Sequence, residues 1–229
     1  GKLNSQLHLQ WVYQAPHRPS PAWPRSPRMP FDRAFQTVIA EGKVIFGSSV
    51  DNTIYALDAG TGREIWRFVT DGPIRFAPAV WQDRIFVASD DGFLYALTIA
   101  DGRLLGKIQG GPDLSGILGN RRLISKWPAR GGPAVVGNTV YFAAGIWPTD
   151  GIYLRAVDAR TGKAIWLNDD SGARYMAQPH GGAEAKSGVS AQGYLVVSGN
   201  SLFVPTGRAV PAVFHADKGT FAYFHLQKY

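Results

Sequence analysis

Few side chains in this chain stand at spacings that do chemistry. Its five histidines, His8, His17, His180, His215 and His225, include no pair three or four residues apart of the kind that holds a metal ion from one face. There is no cysteine, which removes disulfides, thiolate metal sites and thiol nucleophiles together. Asp169-Asp170 is the nearest approach to an acidic cluster, and its Gly-containing surroundings read as a solvated loop rather than a calcium site. The run from Gly102 to Lys107 is one residue short of a phosphate loop and lacks the following Ser or Thr. His180 lies in a Gly-rich loop, Gln178 to Glu184, that can line a site. The strongest pattern is cationic. Arg33, Arg75, Arg130 and Lys186 each precede a strand-like unit, so side chains at four related places are expected to face one another and receive an anion. The alternative is that each pairs with a carboxylate close in sequence, such as Asp32 or Asp71.

Those cations are positioned by repeats. Ile54-Tyr55-Ala56-Leu57-Asp58-Ala59-Gly60-Thr61-Gly62-Arg63-Glu64-Ile65-Trp66 recurs as Leu154 to Trp166, with a degraded copy from Leu94 to Gly102 and a weaker one from Val213 to Gly219. Gly62, Gly102, Gly162 and Gly219 are spaced by 40, 60 and 57 residues, so the later units carry insertions. Each unit alternates short apolar runs with turns such as Glu41-Gly42, Gln82-Asp83, Gly137-Asn138 and Gly199-Asn200, and no stretch has a helical period. Four antiparallel strands every 40-odd residues predict an all-β fold, a β-propeller of about four blades in an incomplete ring. The expected blades are 31–70, 71–109, 127–168 and 187–229. Residues 7–30 are read as the last strand of a preceding blade, with Trp11 in its docking position, followed by a Pro-rich link. Asp58 and Asp158 are expected to accept hydrogen bonds from their turns, and Thr61-Gly62 and Thr161-Gly162 to reverse the chain. Trp66 and Trp166 offer flat surfaces for the next blade. The second copy has Gly106 where a Trp belongs, so its joint is expected to be weaker.

The Tyr-Ala-Leu-Asp-Ala-x-Thr-Gly-x-x-x-Trp element resembles the repeat of pyrroloquinoline-quinone (PQQ)-like propellers, as do the stretches 71–80 and 127–133. The resemblance covers nearly the whole chain and implies a ring of seven or eight blades, of which this is a fragment belonging to a longer bacterial protein. That family holds both enzymes and binding proteins. In the enzymes a quinone lies on a tryptophan floor with calcium and a carboxylate base, often beneath a vicinal disulfide that a cysteine-free chain cannot form. The preferred expectation is a non-catalytic binding or scaffold module without a resident cofactor, PQQ with calcium entering by resemblance only. The alternative is part of a PQQ-dependent alcohol or sugar dehydrogenase. The resemblance also implies the remaining blades and a protein partner or anionic ligand as partners, and a periplasmic or other extracytoplasmic location.

Composition narrows the rest. With 24 Lys and Arg against 17 Asp and Glu, the formal charge is +7, and the hydrophobic share of 45% is that of a globular chain. Arg18, Arg25 and Arg28 lie among the prolines of 16–30, with too few aromatics beside them for a single-strand nucleic-acid surface. No apolar run is long enough for a transmembrane helix.

Overall fold

The computed structural model describes residues 8–19, 34–119, 122–178, 181–206 and 210–225. Their strands, in chain order, are β1 (Thr37–Ala40), β2 (Lys43–Gly47), β3 (Thr53–Asp58), β4 (Glu64–Val69), β5 (Ala79–Trp81), β6 (Arg84–Ala88), β7 (Phe93–Thr98) and β8 (Leu104–Gln109). Then come β9 (Gly116–Gly119), β10 (Arg122–Ser125), β11 (Gly131–Gly132), β12 (Ala134–Val136), β13 (Thr139–Ala144), β14 (Tyr153–Asp158) and β15 (Ala164–Asn168). The last are β16 (Arg174–Ala177), β17 (Glu184–Ser187), β18 (Gly193–Tyr194), β19 (Val196–Ser198), β20 (Ser201–Val204), β21 (Ala212–His215) and β22 (Phe221–Tyr223). They form four four-stranded antiparallel sheets, β1–β4, β5–β8, β12–β15 and β19–β22, each in sequential order. These are the blades of an all-β propeller. The insertions inferred from the repeat spacing are two extra hairpins, β9–β10 and β16–β17, and β11 pairs in parallel with β18.

The first three blades bury both faces, which is why their middle strands read as nearly continuous apolar runs instead of alternating. Ile45, Ile54 and Ala56 of the first blade pack with Ile85, Val87 and Leu97 of the second. Phe86 and Leu94 meet Val140 and Phe142 of the third, and Leu154 and Ala156 meet Leu202 and Phe214 of the fourth. The other face of the first blade, Phe46, Tyr55 and Leu57, lies under Trp11, Tyr13 and Phe35.

The repeat signature does its work in the outer turn. In the first blade Asp58 Oδ1 accepts hydrogen bonds from the Gly60 and Thr61 N–H groups and the Thr61 hydroxyl, at 3.1, 2.7 and 2.7 Å. Asp158 repeats this with Arg160 and Thr161. Those donors hold both carboxyls below the usual carboxylate range. Gly62, Gly102, Gly162 and Gly219 all have φ between 67° and 72°. Their lack of a side chain also matters, because a Cβ on Gly62, Gly102 or Gly219 would meet the ring of Trp11, Trp66 or Trp166 at 2.6, 2.5 or 2.3 Å. Each indole lies on the next turn's glycine and donates its N–H to a carbonyl there: Trp11 to Ala59, Trp66 to Ile99 and Trp166 to Ala216, at 3.0, 2.9 and 2.9 Å.

The joint after the second blade is built differently from the others. In the second blade Gly106 faces Ala96, as Trp66 faces Ala56 and Trp166 faces Ala156, so the indole is missing at that joint. Arg84 replaces it, with Nη1 donating to the carbonyls of Ala159 and Arg160 at 3.3 and 2.9 Å. Trp81 lies between the guanidiniums of Arg84 and Arg160 and donates its own N–H to the Gly137 carbonyl at 2.7 Å. The joint is rebuilt, not left open. Leu7 lies outside the described residues, and His8 to Tyr13 form no β-ladder with any described strand. Trp11 lies on Gly62 and donates to the Ala59 carbonyl.

Residues on the middle strands of the first three blades add polar ties. Tyr55 donates to Asp51 Oδ2 at 2.7 Å and Tyr95 to Asp91 Oδ2 at 2.6 Å. Burial and these carboxylates push both phenols up, Tyr55 to about 12, and burial pushes the Asp91 carboxyl up as well. In the third blade Arg155 takes the tyrosine's place and donates to the Gly110 carbonyl at 2.8 Å, its pKa lowered by burial.

Trp66→Ala is expected to lower unfolding stability by about 3–5 kcal/mol, and Arg84→Ala by about 1–3 kcal/mol, both read from urea denaturation. A loss at Trp66 no larger than that of an exposed-site substitution would refute the docking role. Because the Tyr55 phenol is raised in the folded state, its share of stability is intact below pH 10 and is lost as pH rises from 10 through about 12. Tyr55→Phe should remove that part of the alkaline decline, together with one tyrosinate absorbance transition near that pH.

Candidate functional site

In an antiparallel blade the connections alternate between its two ends. The outer turns and the β1–β2, β5–β6, β12–β13 and β19–β20 turns therefore share one end, called here the turn end. The segments that pass from one blade to the next, both inserted hairpins, and the β2–β3, β6–β7 and β13–β14 loops share the other, the entry end. The turn end is built of tight reversals such as Glu41-Gly42, with φ of 47° and 68°. The entry end carries the irregular structure and the polar groups that the sequence singled out.

Arg75 and Arg130 stand at matching places, each four residues before the innermost strand of its blade. Both reach one carboxylate. Arg75 Nε donates to Asp90 Oδ2 at 2.8 Å, while Arg130 donates from Nε to Oδ1 at 3.1 Å and from Nη2 to Oδ2 at 3.0 Å. The Asp90 side chain is 1% exposed. Its backbone is fixed as well, its N–H donating to the Pro73 carbonyl and its own carbonyl accepting from Ser125 N–H, both at 2.9 Å. Two guanidiniums thus share one carboxylate at the entrance of the second and third blades. The carboxylate they share is Asp90; Asp32 lies outside the described residues.

The structure does not bring Lys186 to this pair. Lys186 lies on β17, opposite Tyr175, exposed on the second inserted hairpin. The residue four before the inner strand of the fourth blade is Gln192, whose N–H donates to the Pro205 carbonyl at 2.8 Å. Arg33 and His180 lie outside the described residues. The acidic pair is tied within its own loop, with Asp170 Oδ1 accepting from Asn168 Nδ2 at 3.1 Å and from the Ser171 hydroxyl at 3.0 Å.

One residue that sequence reasoning missed ties the entrances together. Tyr194, on β18, accepts a hydrogen bond from Ala77 N–H at 2.9 Å and donates to Gln36 Oε1. Phe76 meets its ring edge-on, with centroids 5.1 Å apart. Gly132 leaves room for the ring, since a Cβ there would come within 2.3 Å of it. Gln36, Ala77, Gly132 and Tyr194 each belong to the entry of a different blade, so this one side chain touches all four. Burial raises its phenol. The only signal in the sequence was its place two residues before the fourth inner strand, where Ala77 and Gly132 stand in theirs.

Residues 18–221 match the model of the PQQ-repeat family described as outer membrane protein assembly factor BamB. The chain belongs to this BamB-type propeller family. Among solved structures, the propeller is similar to the quinohemoprotein alcohol dehydrogenases of Pseudomonas putida and Comamonas testosteroni. Each superposes with a TM-score of 0.64 at 18% identity, over 84% of this chain and 34% of the dehydrogenase. The chain therefore spans about a third of the length of those enzymes, and the likeness is one of fold. BamB from Moraxella catarrhalis is 14% identical over 84% of this chain and 62% of its own, with a TM-score of 0.48. No curated relative matches the chain.

Asp90→Ala removes the carboxylate that two guanidiniums share and is expected to destabilise the fold by about 3–5 kcal/mol. Adding Arg75→Met should recover part of that loss, and a double-mutant cycle with purely additive losses would show that the Arg75–Asp90 contact carries no coupling.

Proposed function

We propose that this propeller is a non-catalytic binding or scaffold module whose entry end receives an acidic segment of a protein partner in an extracytoplasmic compartment. The observation that carries this reading is the Arg75–Asp90–Arg130 cluster. It fixes two guanidiniums in a half-buried setting, where a carboxylate gains a charge-assisted hydrogen bond that water screens little. Tyr194 and Gln36 add neutral polar groups beside it. Membership of a family described by an outer membrane assembly factor agrees with a partner-binding role and with that location.

The dehydrogenase reading asks for a carboxylate base and a calcium donor set, and the described residues do not fit it. Both oxygens of Asp90 already accept from guanidiniums. No three His, Asp or Glu side chains converge as metal ligands among the described residues. No reaction step follows from these groups.

The test is titration with a glutamate-rich peptide, followed by calorimetry. Binding is expected at low salt, weakened severalfold by Arg130→Gln and strengthened by Asp90→Asn, which removes the carboxylate that competes for Arg130. No binding at low salt, or equal binding by all three forms, sinks the reading. Bound-cofactor absorption and dye-linked alcohol oxidation after adding PQQ and calcium would replace it with the enzyme.

A further inference from the structure

The entry end carries two rings that the charged cluster does not use. Phe76 follows Arg75 in the chain, and Tyr194 pairs with Gly132, two residues past Arg130. The rings meet edge-on, and both remain accessible, Tyr194 being 39% exposed and Phe76 half-buried. The phenol itself has little to offer a carboxylate. Its proton is given to Gln36 Oε1, and its oxygen accepts from Ala77 N–H. A carboxylate has no proton to place on the lone pair that is left. What Tyr194 presents to an acidic ligand is therefore ring carbon, and Phe76 presents nothing else. Another apolar side chain covers such surface favourably, and an aromatic one adds ring–ring contact beyond its burial.

The backbone sets how far that side chain stands from the charge. Ala129 is buried in the core between the second and third blades. A Cβ on Gly131 would face Ala143 and Leu195, at 3.3 and 3.6 Å, whereas one on Gly132 would meet the Tyr194 ring. Residues 129 and 131 thus face the core and 130 and 132 the other way, the alternation of extended chain. Arg130 and the ring over Gly132 lie on one side of this segment, two residues or about 6.7 Å apart along it. An extended ligand has the same period, so a carboxylate placed on Arg130 sets the side chain two positions away over the rings.

We propose that the acidic segment bound at the entry end carries an aromatic residue two positions from its carboxylate, and that Phe76 and Tyr194 select it. This rests on the reading of the Arg75–Asp90–Arg130 cluster as an acidic-segment site, and it adds the spacing of the sequence recognised there.

Peptides of equal charge are titrated by calorimetry at low salt, built on Glu-Ser-Phe-Ser-Glu, on Glu-Phe-Ser-Ser-Glu and on Glu-Ser-Ser-Ser-Glu. The first places its ring two positions from either acid, and the second has the same composition at odd spacings. The first is expected to bind about tenfold tighter than the phenylalanine-free peptide, and the second to stay within about twofold of it. On Phe76→Ala the advantage of the first should fall to about twofold or less. Each advantage is a ratio taken on one protein preparation, so a misfolded share cancels. Equal binding of the first and third peptides by the parent overturns the proposal. So does an equal gain from the second peptide, or an advantage that survives Phe76→Ala. In those outcomes the acidic-segment reading stands. If no peptide binds, that reading fails and the selection falls with it.

Discussion

A hydrogen bond from one blade to a turn carbonyl of the next is the constraint on which this structure depends. Sheets stacked face to face gain apolar burial in many relative orientations, so burial alone does not fix the angle between blades. The indole does. Trp66 must lie flat on Gly102 and point its N–H at the Ile99 carbonyl, and only one placement of the two sheets satisfies both. The joint between the second and third blades shows which part of this is essential. There the tryptophan is gone, yet the corresponding carbonyl, that of Ala159, still receives a donor, from Arg84. What persists is the acceptor and its need for a partner, and the chemical identity of the donor is free to change.

Fixing the joints at the turn end leaves the other end open to elaboration. The passages between blades there hold two extra hairpins, the β13–β14 loop holds a 3-10 turn over Pro148–Asp150, and the blades stack without disturbance. Such a division suits function, because a rigid scaffold with variable loops at one end presents polar groups without risking the core. Tyr194 reconciles the two demands. It draws the four entrances together through one phenol and one aromatic edge.

How much of this the sequence discloses depends on distance along the chain. The blades were legible because the Asp-x-x-Thr-Gly signature and the turn dipeptides are local, each reporting a conformation within a few residues. Arg75 and Arg130 stood out by their repeated place, but their shared partner was hidden, since Asp90 lies 15 residues from one and 40 from the other. Counting back from a hairpin turn led to Lys186 in the fourth unit. The count passed through the β16–β17 insertion, and the equivalent place belongs to Gln192. Gly106 correctly marked a missing tryptophan, but the repair by Arg84 comes from another strand and leaves no mark in the repeat itself.

The Asp90 cluster is a costly thing to bury. Removing a carboxylate and two guanidiniums from water carries a desolvation penalty that their mutual attraction offsets only with close geometry, and well-packed apolar residues of similar volume commonly stabilise as well or better. Apolar side chains line the blades on either side of this point, so an apolar solution was within reach of the fold. Stability is therefore a poor account of the cluster, and its geometry suits another. A carboxylate gripped by two arginines from successive blades fixes where both guanidiniums sit at the entry end. A ligand that meets such groups need not order them first, and the entropy of arranging two long side chains has already been lost on folding.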